Sequence, residues 1–196
     1  MNIIIASNNK HKIEEIKQIL SPYSFAIRSL NDFPAIPEPP EEHDTFEGNA
    51  KQKAQFVYGY TGGIVISDDS GLAVDALNGS PGVHSKRYTP QATALANNQK
   101  LLRVLGSEDN RNSRFVCAVC VFWQNGHYFL NGFCEGQIAK KPIGDGGFGY
   151  DPIFIPDAFP TKTMAQLSSQ EKNAISHRGV AFSKIPAALK KLGLIS

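Results

Sequence analysis

The sequence predicts an α/β protein built on a mixed, twisted central sheet with flanking helices. Three observations carry that prediction. Short apolar runs at Ile3-Ile4-Ile5-Ala6 and Ile64-Val65-Ile66 stand beside segments whose apolar residues recur with helical spacing, the pattern of parallel strand–helix units. The longer apolar run over residues 115–123 is followed by Asn125-Gly126, a strong hairpin signal, so one strand pair is expected to run antiparallel. With 196 residues, 41% hydrophobic and 19% charged, the chain has the apolar content of one folded domain and not of a disordered tail.

Taken in order, the first apolar run is a short buried strand leading into the polar turn Ser7-Asn8-Asn9-Lys10. Ile13, Ile16, Ile19 and Leu20 then share one face of a helix that Pro22 ends. Residues 24–30 suit a second strand. Pro34, Pro37, Pro39 and Pro40, mixed with Glu38, Glu41, Glu42 and Asp44, make a stiff, exposed, acidic loop. Asp44 and Glu47 have capping-box spacing before a helix through Phe46, Ala50, Ala54 and Val57, closed by Gly62-Gly63. After the strand at Ile64-Val65-Ile66, Ser70-Gly71 is expected to turn the chain. Gly79-Ser80-Pro81-Gly82 is a tight turn, and Leu95, Leu101, Leu102 and Leu105 mark a further helix. Residues 115–123 and 128–134 form the hairpin, and residues 144–149 are glycine-rich. Ser168 with Glu171 is a second capping box, and a last amphipathic helix is expected over about residues 181–192.

Composition excludes several classes. A formal net charge of +2 is too small for the basic stripe of a nucleic-acid partner, so none is expected. No apolar run approaches the roughly 20 residues that span a bilayer, so no membrane partner is expected. No basic segment precedes the short apolar start, which argues against a secretory signal. Three cysteines are too few, and odd in number, for a disulfide scaffold. The expected compartment is the cytoplasm.

Four segments carry candidate chemistry. Ser7-Asn8-Asn9-Lys10-His11-Lys12 lies between a strand and a helix, where backbone N–H groups attract phosphate and Asn9, Lys10 and Lys12 add donors and charge. Taken alone it reads equally as a solvated turn with an Asn cap, and it lacks the glycines of a Walker loop. Asp68-Asp69 follows an apolar strand. Adjacent strand residues point to opposite faces, so both carboxylates serve one site only if a turn intervenes. Carboxylates suit Mg²⁺, and the plainer reading is an Asx turn. In Gly144-Asp145-Gly146-Gly147-Phe148-Gly149-Tyr150-Asp151-Pro152, glycines permit close backbone approach, Phe148 and Tyr150 offer faces for stacking on a base, and Asp151 is an acceptor. Lys172 and Ser176 stand one helical turn apart, with His177 and Arg178 next and Gly179 as a plausible terminator. Its plainer reading is a solvated basic helix end. Cys117-Ala118-Val119-Cys120 has C-x-x-C spacing, yet within a strand its cysteines face opposite sides, so buried structural thiols are expected. His11, His43, His84 and His127 show no metal-ligand spacing.

Six stretches in order resemble the Ham1/RdgB-type family of dITP/XTP (inosine triphosphate) pyrophosphatases: Ser7-Asn8-Asn9-Lys10-His11-Lys12; Thr45-Phe46-Glu47-Gly48-Asn49-Ala50 with Lys53; Ser67-Asp68-Asp69-Ser70-Gly71-Leu72; Gly79-Ser80-Pro81-Gly82; Gly147-Phe148-Gly149-Tyr150-Asp151-Pro152-Ile153-Phe154; and Lys172-Asn173-Ala174-Ile175-Ser176-His177-Arg178-Gly179. The resemblance covers nearly the whole chain. It implies a single two-lobed domain over residues 1–196 enclosing a nucleotide cleft. It also implies a homodimer, and Mg²⁺-dependent hydrolysis of ITP, dITP and XTP to monophosphate and pyrophosphate, which keeps these nucleotides out of DNA and RNA. By position, Ser7, Asn8, Asn9, Lys10, His11 and Lys12 would hold phosphates, with Asn9 and Lys12 as main donors and Lys53 adding charge. Asp69 would be proton acceptor and metal carboxylate, with Asp68 beside it. Ser70, Phe148, Gly149, Tyr150, Asp151, Lys172, His177 and Arg178 would complete the nucleotide pocket. The family's loop before Thr-Phe carries an acidic pair, one of which binds magnesium; here Pro40 interrupts it. Glu41 is selected by spacing as the metal ligand, with Glu38 and Glu42 left open.

The implied chemistry is electrostatic. A triphosphate repels an incoming hydroxide until lysines and Mg²⁺ neutralise it. Asp69 would then orient or deprotonate the water attacking the α-phosphorus. Inosine and xanthine carry a 6-oxo acceptor where adenine has an amino donor, so a donor such as His177 or Arg178 would select them. Two alternatives remain: a pyrophosphatase for modified pyrimidine nucleotides, and a non-catalytic nucleotide-binding module.

Overall fold

Six strands form one sheet in the order β2-β1-β3-β4-β5-β6, seen in a computed structural model that describes residues 2–195. The strands are β1 (Asn2–Ile5), β2 (Ala26–Ser29), β3 (Val65–Val74), β4 (Asn112–Trp123), β5 (Gly126–Ile138) and β6 (Phe154–Pro156). The helices are α1 (Lys10–Leu20), α2 (Phe46–Thr61), α3 (Ala94–Leu105), α4 (Ser169–Ile175), α5 (His177–Phe182) and α6 (Ile185–Lys191). β1 runs parallel to β2, with Ile3 opposite Ile27, and parallel to β3, with Ile5 opposite Ile66. β5 and β6 are antiparallel. The sheet is therefore mixed, as the sequence predicts. No helix of the described residues is long and apolar enough to cross a membrane.

The chain divides into two compact units. The first holds the residues up to Asp69, Cys117–Gly132 and those from Arg178 onward; the second holds Ser70–Val116 and Phe133–His177. β3, β4 and β5 each pass from one unit into the other.

In the first unit the two-residue period of the strands builds two apolar layers. Ile3, Ile5, Ile66, Cys117, Val119 and Val121 pack with Ile16 and Leu20 of α1 and with Phe182, Ile185 and Leu189 of the C-terminal helices. The intervening residues Ala6, Val65 and Cys120 pack with Ala50, Ala54 and Val57 of α2. Cys117 and Cys120 thus fall in different layers, each as a buried thiol, and burial pushes the Cys120 thiol up to about 12. The second unit has its own core of Leu72, Val74, Leu101, Leu105, Phe115, Tyr150, Ile153, Phe154 and Met164, among others.

Several local expectations are corrected. Ser70-Gly71 makes no turn: β3 continues through Asp68, Asp69, Ser70 and Gly71 to Val74. The apolar alternation resumes at Leu72 and Val74, both fully buried, and that packing outweighs the turn propensity of the polar residues. α2 is capped by Thr45, whose hydroxyl accepts from Gly48 N–H, and not by Asp44. The hairpin connection is Gln124-Asn125, and Gly126 already belongs to β5. The single C-terminal helix is two helices. α5 ends at Phe182 and α6 begins at Ile185, with Pro186 in its first turn, where a missing N–H costs least. The box at Ser168 and Glu171 forms as expected, each side chain meeting the other's backbone N–H.

Candidate functional site

The strand that carries Asp68 and Asp69 decides what each can touch. Because β3 stays extended, the two carboxylates take opposite faces, Asp68 with Ile66 and Asp69 with Val65 and Ser67. They therefore belong to two networks within the first unit.

On the Asp68 side, Oδ2 accepts from Lys12 Nζ at 2.9 Å and faces Arg178 Nη2 at 3.5 Å. Lys12 is presented by the first turn of α1, which starts where Asn9 Oδ1 accepts from Lys12 N–H. Ser7 Oγ in turn accepts from Asn9 N–H. Asn9 is thus the helix cap, the plainer of the two readings of this turn, while Asn8, Lys10 and His11 are exposed beside it. One turn along α1, Glu15 pairs with Arg178 Nη1. Burial alone would lower the basicity of Arg178, yet Asp68 and Glu15 reverse the sign and raise its pKa. Arg178 is 2% exposed. Its Nη1 and Nη2 face carboxylates of its own unit.

On the Asp69 side, α2 supplies both partners from one face, since Asn49 and Lys53 are a helical turn apart. Asn49 Nδ2 donates to Asp69 Oδ2 at 3.1 Å, and Lys53 Nζ meets Asp69 Oδ1 at 3.3 Å. Asn49 Oδ1 accepts from His43 N–H at 2.8 Å, which turns the amide toward Asp69. Lys53 Nζ also meets Glu41 Oε1 at 2.6 Å. Of the acidic-loop candidates, Glu41 is the one brought to this cluster. Glu42 is tied to the Gln52 side chain and Glu38 is exposed. Burial raises the Asp69 pKa against the opposing effect of Lys53 and Lys12. For Lys53, burial works to lower the pKa, but Asp69, Glu41 and Asp68 together raise it.

In the second unit, Asp151 Oδ2 accepts from Lys172 Nζ at 2.7 Å and from Phe148 N–H at 2.7 Å. Lys172 Nζ also lies 4.7 Å from the Phe148 ring centre. Gly147 adopts φ +69, and a Cβ there would collide with the Asp151 carboxylate, so glycine is required twice over. Gly149 O accepts from Asn98 Nδ2. Tyr150 is 5% exposed in the core, and its hydroxyl donates to Ser85 O. Phe148, half-buried, is the more open of the two aromatic rings of this loop. The helix carrying Lys172 ends at Ile175, with the extended Ser176 as its cap, and His177 opens the next one. Gly179, expected to terminate a helix, lies inside α5. His177 is buried and stacks on Phe115 with centroids 4.7 Å apart and planes 12° apart. Ser70 follows Asp69 on β3 but belongs to this unit.

The Ham1 family model matches residues 3–188. The chain belongs to the Ham1 family. Among its relatives, a protein named dITP/XTP pyrophosphatase from Exiguobacterium sp. is 45% identical, the match covering 96% of this chain and 97% of that one. One of the same name from Bacillus licheniformis is 45% identical, with 95% and 97% covered. The solved structure of the Staphylococcus aureus Ham1 protein superposes with a TM-score of 0.87 at 38% identity, covering 98% of this chain and all of that one.

For a Ham1-family chain a magnesium site is implied, and the donor chemistry here fits one. Among the described residues no group of three or more His, Cys, Asp and Glu side chains converges. Magnesium, however, is usually held by one or two carboxylates with phosphates and waters completing its shell. Glu41 and Asp69, both reaching one nitrogen, are two carboxylates that could form such a pair. Two residues that contact the predicted site residues escaped the sequence reading. Asn49 lies within a recognised stretch that assigns it no role, although its spacing to Lys53 signals a shared helix face. Glu15 gives no local signal, since its partner is 163 residues away.

Proposed function

We propose that this chain hydrolyses non-standard purine nucleoside triphosphates, namely ITP, dITP and XTP, to the monophosphate and pyrophosphate in a magnesium-dependent reaction. The observation that carries the reading is the Asp69 carboxylate, buried, aimed by Asn49 and set against Lys53. A base must hold its proton acceptor deprotonated yet basic enough to take a proton, and burial that raises the Asp69 pKa serves that need.

Within this reading Lys12 and Lys53 bind phosphate oxygens as compact point charges, and the backbone at Ser7, Asn8 and Asn9 adds donors at the start of α1. Lys10 and His11, exposed, contribute field and not contact. Glu41 and Asp69 hold the magnesium. When bound, the ion neutralises phosphate charge and polarises the attacked phosphoryl group. Asp69 orients the attacking water and accepts its proton, and the basic residues retain the charge of the departing pyrophosphate. Asp68 keeps Lys12 in place. Phe148 supplies a face for the base, Asp151 and Lys172 fix the loop that presents it, and Ser70 and Gly149 line the nucleotide pocket. His177 or Arg178 is the donor assigned to the 6-oxo group; a site donor left unpaired by adenine rejects ATP.

The reading includes one two-lobed domain, a homodimer and cytoplasmic action. Clearing such nucleotides keeps them out of DNA and RNA. The deciding experiment is pyrophosphate release from ITP, XTP, dITP, GTP and ATP with and without Mg²⁺. Rapid release from the first three, only with Mg²⁺, is expected. Equal rates across the panel would remove the selectivity, and no release from any would remove the activity. Light scattering of the purified chain tests the dimer.

A further inference from the structure

Lys53 places one ammonium between two carboxylates that the proposed function gives to a metal. Its side chain is 8% exposed, against 26% for Glu41 and 10% for Asp69. Two carboxylates facing one another in so dry a place need a cation between them. An ammonium and a divalent cation cannot both occupy the point where the same two oxygens converge, because like charges at that separation repel strongly.

The Asp69 carboxylate and the loop backbone beside Glu41 are also anchored independently of Lys53. Asp69 uses Oδ2 for Asn49 and only Oδ1 for the lysine. Glu41 sits between Pro39-Pro40, which stiffen the loop before it, and Glu42, whose backbone and side chain are both tied to Gln52. Next in the loop, His43 N–H is held by Asn49. Withdrawal of the lysine therefore leaves the Asp69 carboxylate and the loop that carries Glu41 in place. The four-carbon stem of lysine, with its rotatable donors, makes such a withdrawal feasible where a planar guanidinium would resist it.

We propose that Lys53 is a stand-in for the divalent cation: in the nucleotide-free protein its ammonium fills the place between Glu41 and Asp69 that the cation takes, and cation binding releases Lys53 to the phosphates. The inference rests on the reading of Glu41 and Asp69 as metal ligands. Its consequence is coupling. The phosphate-binding lysine becomes available when the metal arrives, so metal and triphosphate each favour the other's binding, as reciprocal linkage requires.

The test is cation binding without nucleotide. Mn²⁺ is titrated into the full chain, wild type and Lys53→Met, and free ion is followed by electron paramagnetic resonance. Removing the resident charge is expected to tighten Mn²⁺ binding about tenfold or more, and Mn²⁺ should raise the thermal midpoint more in the variant than in wild type. Equal or weaker binding by a folded Lys53→Met overturns the proposal, because Lys53 would then support the site and not occupy it. A second measurement needs only wild type carrying ¹⁵N-labelled lysine, with the Lys53 side-chain resonance assigned by its loss in Lys53→Arg. That resonance is expected to shift as Mg²⁺ is added; an unmoved resonance up to saturating Mg²⁺ overturns the proposal equally. Neither readout involves turnover. A chain that shows the exchange but releases no pyrophosphate from dITP breaks the proposed function and leaves the observed exchange standing.

Discussion

The charged cluster of the first unit and the loop cluster of the second solve the burial of ions differently. In the first, Lys12, Asp68, Arg178 and Glu15 form one chain of ion pairs and Glu41, Lys53 and Asp69 another, so that Asp68, Arg178 and Lys53 each serve two groups. In the second, the Asp151–Lys172 pair is joined by a backbone N–H and an aromatic face. A shared ion cannot be removed without disturbing both its partners, whereas Asp151 can lose its charge and keep its backbone hydrogen bond. Breaking a buried pair by deleting one member costs far more than the pair itself contributes. The first cluster should therefore tolerate almost nothing, and the second should tolerate conservative change.

The largest expected effect is on turnover. Asp69→Asn preserves shape but keeps one acceptor oxygen where Asp69 offers two, so it can serve Asn49 or Lys53 and not both, and circular dichroism checks that the variant folds. Loss of the proton acceptor and of one metal carboxylate should reduce pyrophosphate release from dITP by roughly a thousandfold or more, general-base catalysis alone being worth about 10²–10⁴. A purified, folded Asp69→Asn chain working at the wild-type rate would show that the water is activated elsewhere.

The next effect is on stability, and it compares the two clusters directly. Arg178→Met leaves Asp68 and Glu15 without their common cation and should cost about 3–5 kcal/mol. Asp151→Asn keeps an acceptor for Phe148 N–H and loses only the charge facing Lys172, so about 1.5–3 kcal/mol is expected. Urea denaturation of both variants measures this. Equal losses would mean that sharing of ions does not matter and that the two regions are energetically alike. Asp151→Asn should also raise KM for dITP more than it lowers kcat, since the loop it orders is assigned to binding.

Most of the fold was legible because its signals are local. Strand and helix periods, the Ser168–Glu171 box and the opposed cysteines depend on neighbours in sequence. The features that misled depend on partners far along the chain. The polar run Ser67-Asp68-Asp69-Ser70-Gly71 reads as a turn by composition, yet it is strand because Lys12, Lys53 and Arg178 pair its carboxylates and Leu72 and Val74 anchor the rest of β3 in the second core. The same correction changes the site. A turn would have aimed both carboxylates at one place, while a strand gives Asp68 to α1 and α5 and Asp69 to α2. The burial of Tyr150 and Arg178 is likewise not written in a short motif.

The smallest expected effect lies outside both clusters and fixes the scale against which they are read. Glu171 is exposed, and its carboxylate accepts from the Ser168 backbone N–H and hydroxyl at 2.8 Å each. The backbone hydrogen bond, then the hydroxyl, hold its pKa below the usual glutamate value of 4.5. A carboxyl with a folded pKa below its unfolded one adds stability that is fully present above the unfolded value and is lost as pH falls through the folded one. Glu171→Gln should thus lower the thermal midpoint slightly at neutral pH, and the gap from wild type should close on acidification below pH 4.5. A gap that stays constant through that range would mean that the box acts through shape and not through charge. A gap as large at neutral pH as that of Asp151→Asn would dissolve the contrast between an exposed cap and a buried pair.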